Sequence, residues 1–187
     1  KYPGVIDLFR VPKPGAAIYQ AQVDPQDRPV IVPAFYWDFG PDSLPYKDGQ
    51  EAMICSNCER LELFIDDQHY ATVRPATERF RHLPYPPSFV NLNDVDGSAK
   101  PELRIEGYMG EEQVIARLFS ADTEGDSLAL IADDTELTAD GSDATRVVFR
   151  AVDKYGAPRP YVSGDVTLTL EGPATLVGDN PFAFGDA

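Results

Sequence analysis

The chain has 187 residues, 43% hydrophobic and 11% aromatic, enough to fill one large or two small cores and too apolar for a disordered chain. Its net charge of −15, from 31 acidic against 16 basic side chains, argues against a phosphate-binding surface of clustered Lys and Arg, so no nucleic-acid partner is expected. No apolar run approaches the roughly 18 residues of a membrane span, no signal-peptide pattern opens the chain, and no membrane partner is expected.

With 17 prolines and 14 glycines, no long helical pattern survives between breakers, which favours an all-β fold. Residues 1–22, "KYPGVIDLFRVPKPGAAIYQAQ", stand apart. Pro14 suits the first turn of a helix, and Ala17, Ile18, Tyr19 and Ala21 give a short apolar stripe that needs a partner surface. From residue 29 the chain turns to strands: "RPVIVPAFYWDFG", "AMICSN", "ERLELFID", "YATVR", "SFVNL", "ELRIEGYM" and "EEQVIARLFS". Alternation turns Leu61, Leu63 and Ile65 inward, then Leu103 and Ile105, then Val114, Ala116 and Leu118, with Phe64 among the outward set. Short strands at this spacing describe a β-sandwich of roughly 90–100 residues. "SADTEGD" at 120–126 reads as a linker. Beyond it "SLALIAD", "TRVVFRAVD", "DVTLTLEG" and "ATLVG" read as strands, with Val166, Leu168 and Leu170 on one face. The chain opens at Lys1 and stops in "GDNPFAFGDA", read as a turn with no strand after it, so both ends are expected to be cut.

Little in the chain points to chemistry of its own. Cys55 and Cys58 have C-x-x-C spacing, but a zinc site needs a second ligand pair, and His69 and His82 match no finger spacing. A redox pair belongs at a helix N-terminus in a βαβ unit, whereas this pair sits in a strand-turn-strand pattern. On one straight strand, residues three apart point to opposite faces, so packing is the favoured role. No G-x-S-x-G, phosphate loop or dinucleotide fingerprint occurs, and no catalytic residue is assigned. Two acidic loops, 91–98 and 132–143, could be weighed for calcium. From Asn91 the fifth loop position is Val95, and from Leu92 the twelfth is Leu103, so the EF-hand pattern fails and turn chemistry is favoured. No metal or cofactor is expected. In "FYWDFG", Tyr36 and Trp37 are the candidate carbohydrate contacts, set against the commoner role of a lone Trp as a core plug.

An ordered series of short motifs resembles the region after the catalytic barrel in β-galactosidase-like enzymes of glycoside hydrolase family 2. It runs "GVIDLFRVPKPGAAIYQAQ", "AFYWDFG", "SNCERLELFIDDQ", "ELRIEGYMGEEQVIAR" and "LTADGSDATRVVFRAVDKYGAP". Asp7, Arg10, Pro12 and Lys13 match a D-x-x-R-x-P-K-like motif of the barrel's last helix. Trp37 and Gly40 match a W-x-x-G entry. Ala139, Asp140, Gly141, Asp143, Asp153 and Gly156 match the opening of a second domain. The resemblance implies two immunoglobulin-like β-sandwich domains in tandem behind a short helical segment: 1–24 as barrel tail and linker, 25–120 as the first sandwich, and 121–187 as a second, truncated one. It also implies a non-catalytic region whose partner is its own barrel, with homo-oligomer contacts of the parent, since the family's two catalytic glutamates lie upstream. The alternatives are a carbohydrate-binding or adhesion module and a calcium-dependent adhesion domain. Asp66-Asp67 stand where the family's hairpin turns on Asn-Gly, which leaves the turn type open.

Overall fold

The computed structural model describes residues 4–7, 10–44 and 50–184. The expected cut ends, and Leu8 and Phe9 within the opening motif, lie outside the described residues. The fold is all-β with one short helix. A 3₁₀ turn at Pro14–Ala16 runs into helix α1 (Ala17–Gln20). The strands that follow are β1 (Ile31–Pro33), β2 (Asp38–Pro41), β3 (Ala52–Ser56), β4 (Arg60–Ile65), β5 (Gln68–Val73), β6 (Ser88–Val90), β7 (Glu102–Met109) and β8 (Glu112–Ser120). Strands β1-β3-β6 form one antiparallel sheet and β5-β4-β7-β8 another. Ile31, Ile54 and Val90 of the first meet Leu61, Leu63, Leu103 and Ile105 of the second in one buried cluster. Three strands facing four, with sequence neighbours split between sheets, is the immunoglobulin-type partition.

The small sheet is covered on both sides. Ile31 and Ile54 face the sandwich, while Val30, Val32, Met53 and Cys55 face α1, where Ala17 and Ala21 are 1% exposed and Ile18 is half-buried. The partner of the opening helix is therefore the outer face of β1 and β3. Tyr19 falls off this stripe, 67% exposed. The cysteines divide in the same way. Cys55 lies under the helix and Cys58 in the sandwich core, both as free thiols. Burial pushes the Cys55 thiol up to about 11 and raises that of Cys58. Both are packing groups, poor in thiolate.

Between them, Ser56 and Asn57 tie the chain to the sandwich. Asn57, 2% exposed, donates from Nδ2 to the carbonyls of Val23 (2.9 Å) and Arg28 (2.8 Å) and accepts the Val30 amide at 2.7 Å. Ser56 Oγ donates to Val30 O at 2.7 Å. The "SNC" motif thus orders the segment between α1 and β1. The D-x-x-R-x-P-K-like motif takes a different form from the expected barrel helix. Asp7 Oδ1 accepts the Val11 amide at 2.8 Å, Ile6 bridges Pro12, and Arg10 adopts φ +64°, so the described residues of the motif are not helical.

Leu61 and Leu63 are 0% exposed and Ile65 packs on the core, as alternation predicts. On β8 the alternation slips. The register shifts between Gly107 and Tyr108, so Val114 bulges, and Ile115 and Phe119 join it against the core in place of Ala116 and Leu118, the latter 38% exposed. Gly107, opposite Ile115, leaves the space that Cys58 fills. A Cβ there would lie 2.6 Å from Cys58 Sγ and 2.8 Å from Ile115 Cγ2.

Beyond residue 126 the ordered strands are β9 (Ser127–Ala132) paired with β10 (Val147–Val152), and β11 (Gly164–Val166) paired with β12 (Phe182–Phe184). The expected strand through Leu168 and Leu170 ends at Val166. The Asn180 side chain takes over, accepting the Leu168 amide at 2.9 Å and donating to its carbonyl at 2.8 Å. "ATLVG" is no strand, with Val177 98% exposed, and the stretch read as a closing turn instead supplies β12. Phe182 and Phe184 pack edge-on against Phe149 of β10, centroids 5.3 and 5.6 Å away, which favours pairing there.

The β4–β5 hairpin turns on Asp66 (φ +48°) and Asp67 (φ +63°), the two left-handed residues of a type I′ turn. The Asp66 backbone amide donates to Glu102 O at 3.1 Å, and its side chain adds a bond glycine could not make: Oδ1 accepts the Glu102 amide at 2.9 Å. Asp67 offers only an exposed ion pair to Arg104 at 3.3 Å. Asp67→Gly is therefore expected to stabilise the chain by about 0.5–1 kcal/mol, because strain relief outweighs a surface pair. Thermal denaturation checks this, and a lowered midpoint refutes it. Gly107→Ala is expected to cost about 1–3 kcal/mol by overpacking. Adding Cys58→Ala should recover part of that loss in a double-mutant cycle, and strict additivity would show that the two sites do not share this space.

Candidate functional site

The most distinctive polar constellation is a seam between the β1–β8 sandwich and the strands that follow. At its centre Arg159, 5% exposed, sits between Pro158 and Pro160, whose rings fix the local backbone. Its Nη1 donates to Asp38 Oδ1 at 3.1 Å, and Nε and Nη2 donate to Asp126 Oδ1 at 3.0 and 2.8 Å. Nη2 also reaches the Asp122 carbonyl. Asp38 comes from β2, and its Oδ2 accepts the Tyr161 amide at 3.2 Å. Burial works against the guanidinium charge, but the hydrogen bonds to Asp126 and Asp38 outweigh it and raise the pKa of Arg159.

The turn after β10 makes the second set of contacts. Asp153, 3% exposed, accepts the Tyr155 and Ala157 amides on Oδ1, each at 2.8 Å, and the Ser120 amide on Oδ2 at 2.8 Å. The V-D-x-x-G stretch is thus an aspartate-centred turn that grips the end of β8. Next to it the Tyr155 hydroxyl donates to Glu102 at 2.7 Å, and Lys154 pairs with the same carboxylate. The hydrogen bond from Lys154, helped by Tyr155, holds the Glu102 carboxyl below its usual range.

The acidic loops use their oxygens internally. Asp140 Oδ1 accepts from the Ser142 amide and hydroxyl and from the Asp143 amide, while Asp143 Oδ2 accepts the Thr138 amide. Asn91 and Asp96 close turns onto Asn93 and Ser98. These are Asx turns.

The structure separates the two candidate carbohydrate contacts. Trp37 is 3% exposed, lies beside Phe35 at 6.3 Å, and donates from Nε1 to Pro101 O at 2.9 Å. Gly40, at φ +57°, closes the W-x-x-G turn against Pro101. Trp37 is a core plug, which counts against it as a sugar platform. Tyr36 is half-buried and lines two clefts. One, of about 540 Å³, opens among Phe35, Tyr36, Phe39, Asp42, Met53 and Tyr161. The other, of about 510 Å³, runs between the α1–β1 layer and Phe149, Arg150 and Phe184. Phe39 and Tyr161, from opposite sides of the seam, stack at 5.7 Å and 27°. Sequence reasoning did not single out Asp38, Arg159, Phe39 or Tyr161. The one available signal was a charged residue locked between two prolines.

Residues 128–183 match the family model described as glycoside hydrolase family 2 C-terminal domain 5. The chain is 31% identical over 190 aligned residues to a β-galactosidase of Thermoanaerobacterium thermosulfurigenes, covering 97% of this chain and 26% of that protein. It is 33% identical over 188 residues to a β-galactosidase of Thermoanaerobacter pseudethanolicus, covering 96% of this chain and 25% of that protein. The chain thus spans about a quarter of the length of the curated relatives it matches. Among solved structures, a β-glycosidase from Bacteroides vulgatus superposes with a TM-score of 0.66 at 22% identity, over 97% of this chain and 22% of that one, a likeness of fold. By the family match, residues 128–183 carry a glycoside hydrolase family 2 C-terminal domain, within a chain that is similar along nearly its whole length to about a quarter of two β-galactosidases.

Proposed function

We propose that this chain is a non-catalytic accessory region of a β-galactosidase-like glycoside hydrolase, divided as 1–24, 25–120 and 121–187, which braces its own catalytic barrel and supports oligomer contacts of the parent. The observation that carries this reading is the seam. Arg159, Asp38 and Asp126 have side chains only 2%, 6% and 22% exposed, so their charges are largely withdrawn from water. Desolvation costs several kcal/mol per buried ion, and a group of hydrophobic side chains would hold two surfaces together as well or better. What the ionic arrangement adds is a single fitting geometry: a planar fork meets two carboxylates and a carbonyl in only one pose. That suits a part whose task is to hold neighbouring pieces at a set spacing.

The clefts support the same reading. Retaining glycosidases need two carboxyl groups about 5–5.5 Å apart on either side of the scissile bond. The described linings of the two aromatic clefts hold one carboxylate, Asp42. A barrel that supplies both glutamates would leave this region inert by itself.

Two measurements follow. Arg159→Met is expected to cost about 3–5 kcal/mol, because it leaves Asp38 charged and buried. Proteolysis near residues 121–126 should accelerate while Trp37 fluorescence stays native, and unchanged melting and cutting would refute the bracing role of the seam. The 187-residue chain incubated with a chromogenic β-galactoside is expected to release no chromophore above the buffer rate, and steady turnover would overturn the non-catalytic reading.

A further inference from the structure

We propose that the cleft beside the stacked Phe39–Tyr161 pair is a binding site for a neutral sugar ring, a role that goes beyond bracing although it rests on the same closed seam. The first observation is the aromatic pair at its mouth. Phe39 is 55% and Tyr161 59% exposed, although each is a large apolar side chain that folding would ordinarily hide. They stack on one another at 5.7 Å and leave their outer faces to solvent. The apolar C–H faces of a pyranose pack well against such rings, while the ring hydroxyls need polar partners close by.

Those partners are present. Asp42 is exposed and makes no ion pair among the described residues; its Oδ2 packs over Gly97, and the carboxylate retains capacity to accept from a ring hydroxyl. The Tyr36 and Tyr161 side chains bring phenol groups to the same lining. Ser43, by contrast, is committed to the carbonyls of Tyr36 and Gly40 and serves to hold the loop. The volume, about 540 Å³, falls within the range of small-molecule sites.

The charge balance selects the ligand. The described lining contains a carboxylate and no Lys, Arg or His, on a chain of net charge −15, so an acidic sugar is disfavoured and a neutral one accepted. A purely apolar ligand would strip water from Asp42 with no compensating hydrogen bond. The site also depends on the seam. Tyr161 is held by the hydrogen bond its backbone amide donates to Asp38, which Arg159 fixes in place, so the platform is complete only when the ionic cluster is closed.

Saturation-transfer NMR on the full chain tests this, with lactose as the neutral probe and glucuronate as the acidic one. Lactose is expected to show transfer at millimolar concentration, with affinity falling at least about tenfold in both Phe39→Ala and Tyr161→Ala. Both residues are exposed, so native melting of the variants should accompany the loss. Arg159→Met should weaken binding as well, and Tyr19→Ala, on an exposed site outside the cleft, should leave it unchanged. Absence of transfer at about 50 mM lactose overturns the proposal, as does transfer retained in both aromatic variants or glucuronate binding as well as lactose. None of these outcomes bears on whether the chain hydrolyses a galactoside, so the two readings fail separately.

Discussion

A guanidinium buried between two carboxylates is the constraint on which the rest of the arrangement hangs. Arg159 is fixed by Pro158 and Pro160 on its own chain and by Asp38, Asp126 and the Asp122 carbonyl around it. An arginine can neither lose its proton nor find an equivalent set of acceptors if displaced, so its neighbours must stay in register with it. Three consequences follow along the chain. Asp126 and the Asp122 carbonyl fold the connecting segment back on itself, Asp38 fixes the start of β2, and its second oxygen holds Tyr161 where it stacks on Phe39. The aromatic cleft is thus a by-product of an electrostatic requirement a few ångströms away.

The same logic works on a smaller scale within the sandwich. Asn57 uses one side chain to satisfy two carbonyls and an amide of the segment arriving from α1, so a stretch without secondary structure still has these backbone groups paired. Its flanking cysteines look in opposite directions, one to the helix and one to the core. A single C-x-x-C therefore records that the small sheet is buried on both faces. Its chemistry is steric: Cys58 is the size that the missing side chain of Gly107 allows.

What was legible in the sequence depended on whether local pattern and tertiary demand agreed. Leu61, Leu63, Leu103 and Ile105 alternate in strands that pair on both sides, and each is fully buried where the alternation put it. On β8 the same rule chose the wrong parity, because a bulge at Val114 adds a residue that no periodicity shows. In the later strands the rule failed for want of a partner. Val166, Leu168 and Leu170 alternate cleanly, yet an asparagine side chain occupies the place where a strand would pair. The seam was hidden for a different reason. With 31 acidic residues, nothing marks Asp38 or Asp126 as buried until a cation is seen against them. Trp37 could be weighed both ways from sequence, and the Pro101 carbonyl within reach of its indole nitrogen places it in the core.

The distribution of buried apolar surface explains why the seam matters more than its size suggests. Among the described residues after Ala121, Val152 is the one hydrophobic residue that is buried, at 8% exposure, and it lies next to Asp153 at the seam itself. Leu128, Leu130 and Ile131 on β9 stay exposed, and β9–β10 and β11–β12 are two-stranded ribbons, which are marginal without packing. Burial of an aliphatic side chain contributes about 1.5–3 kcal/mol, so the first sandwich can stand on its core while the later strands have little of this kind to draw on. Their position must come from directional contacts, and those converge on Ser120, Asp38 and Glu102, all on the first sandwich. The later strands are therefore placed by the sandwich before them, through charges and amides more than through a core of their own.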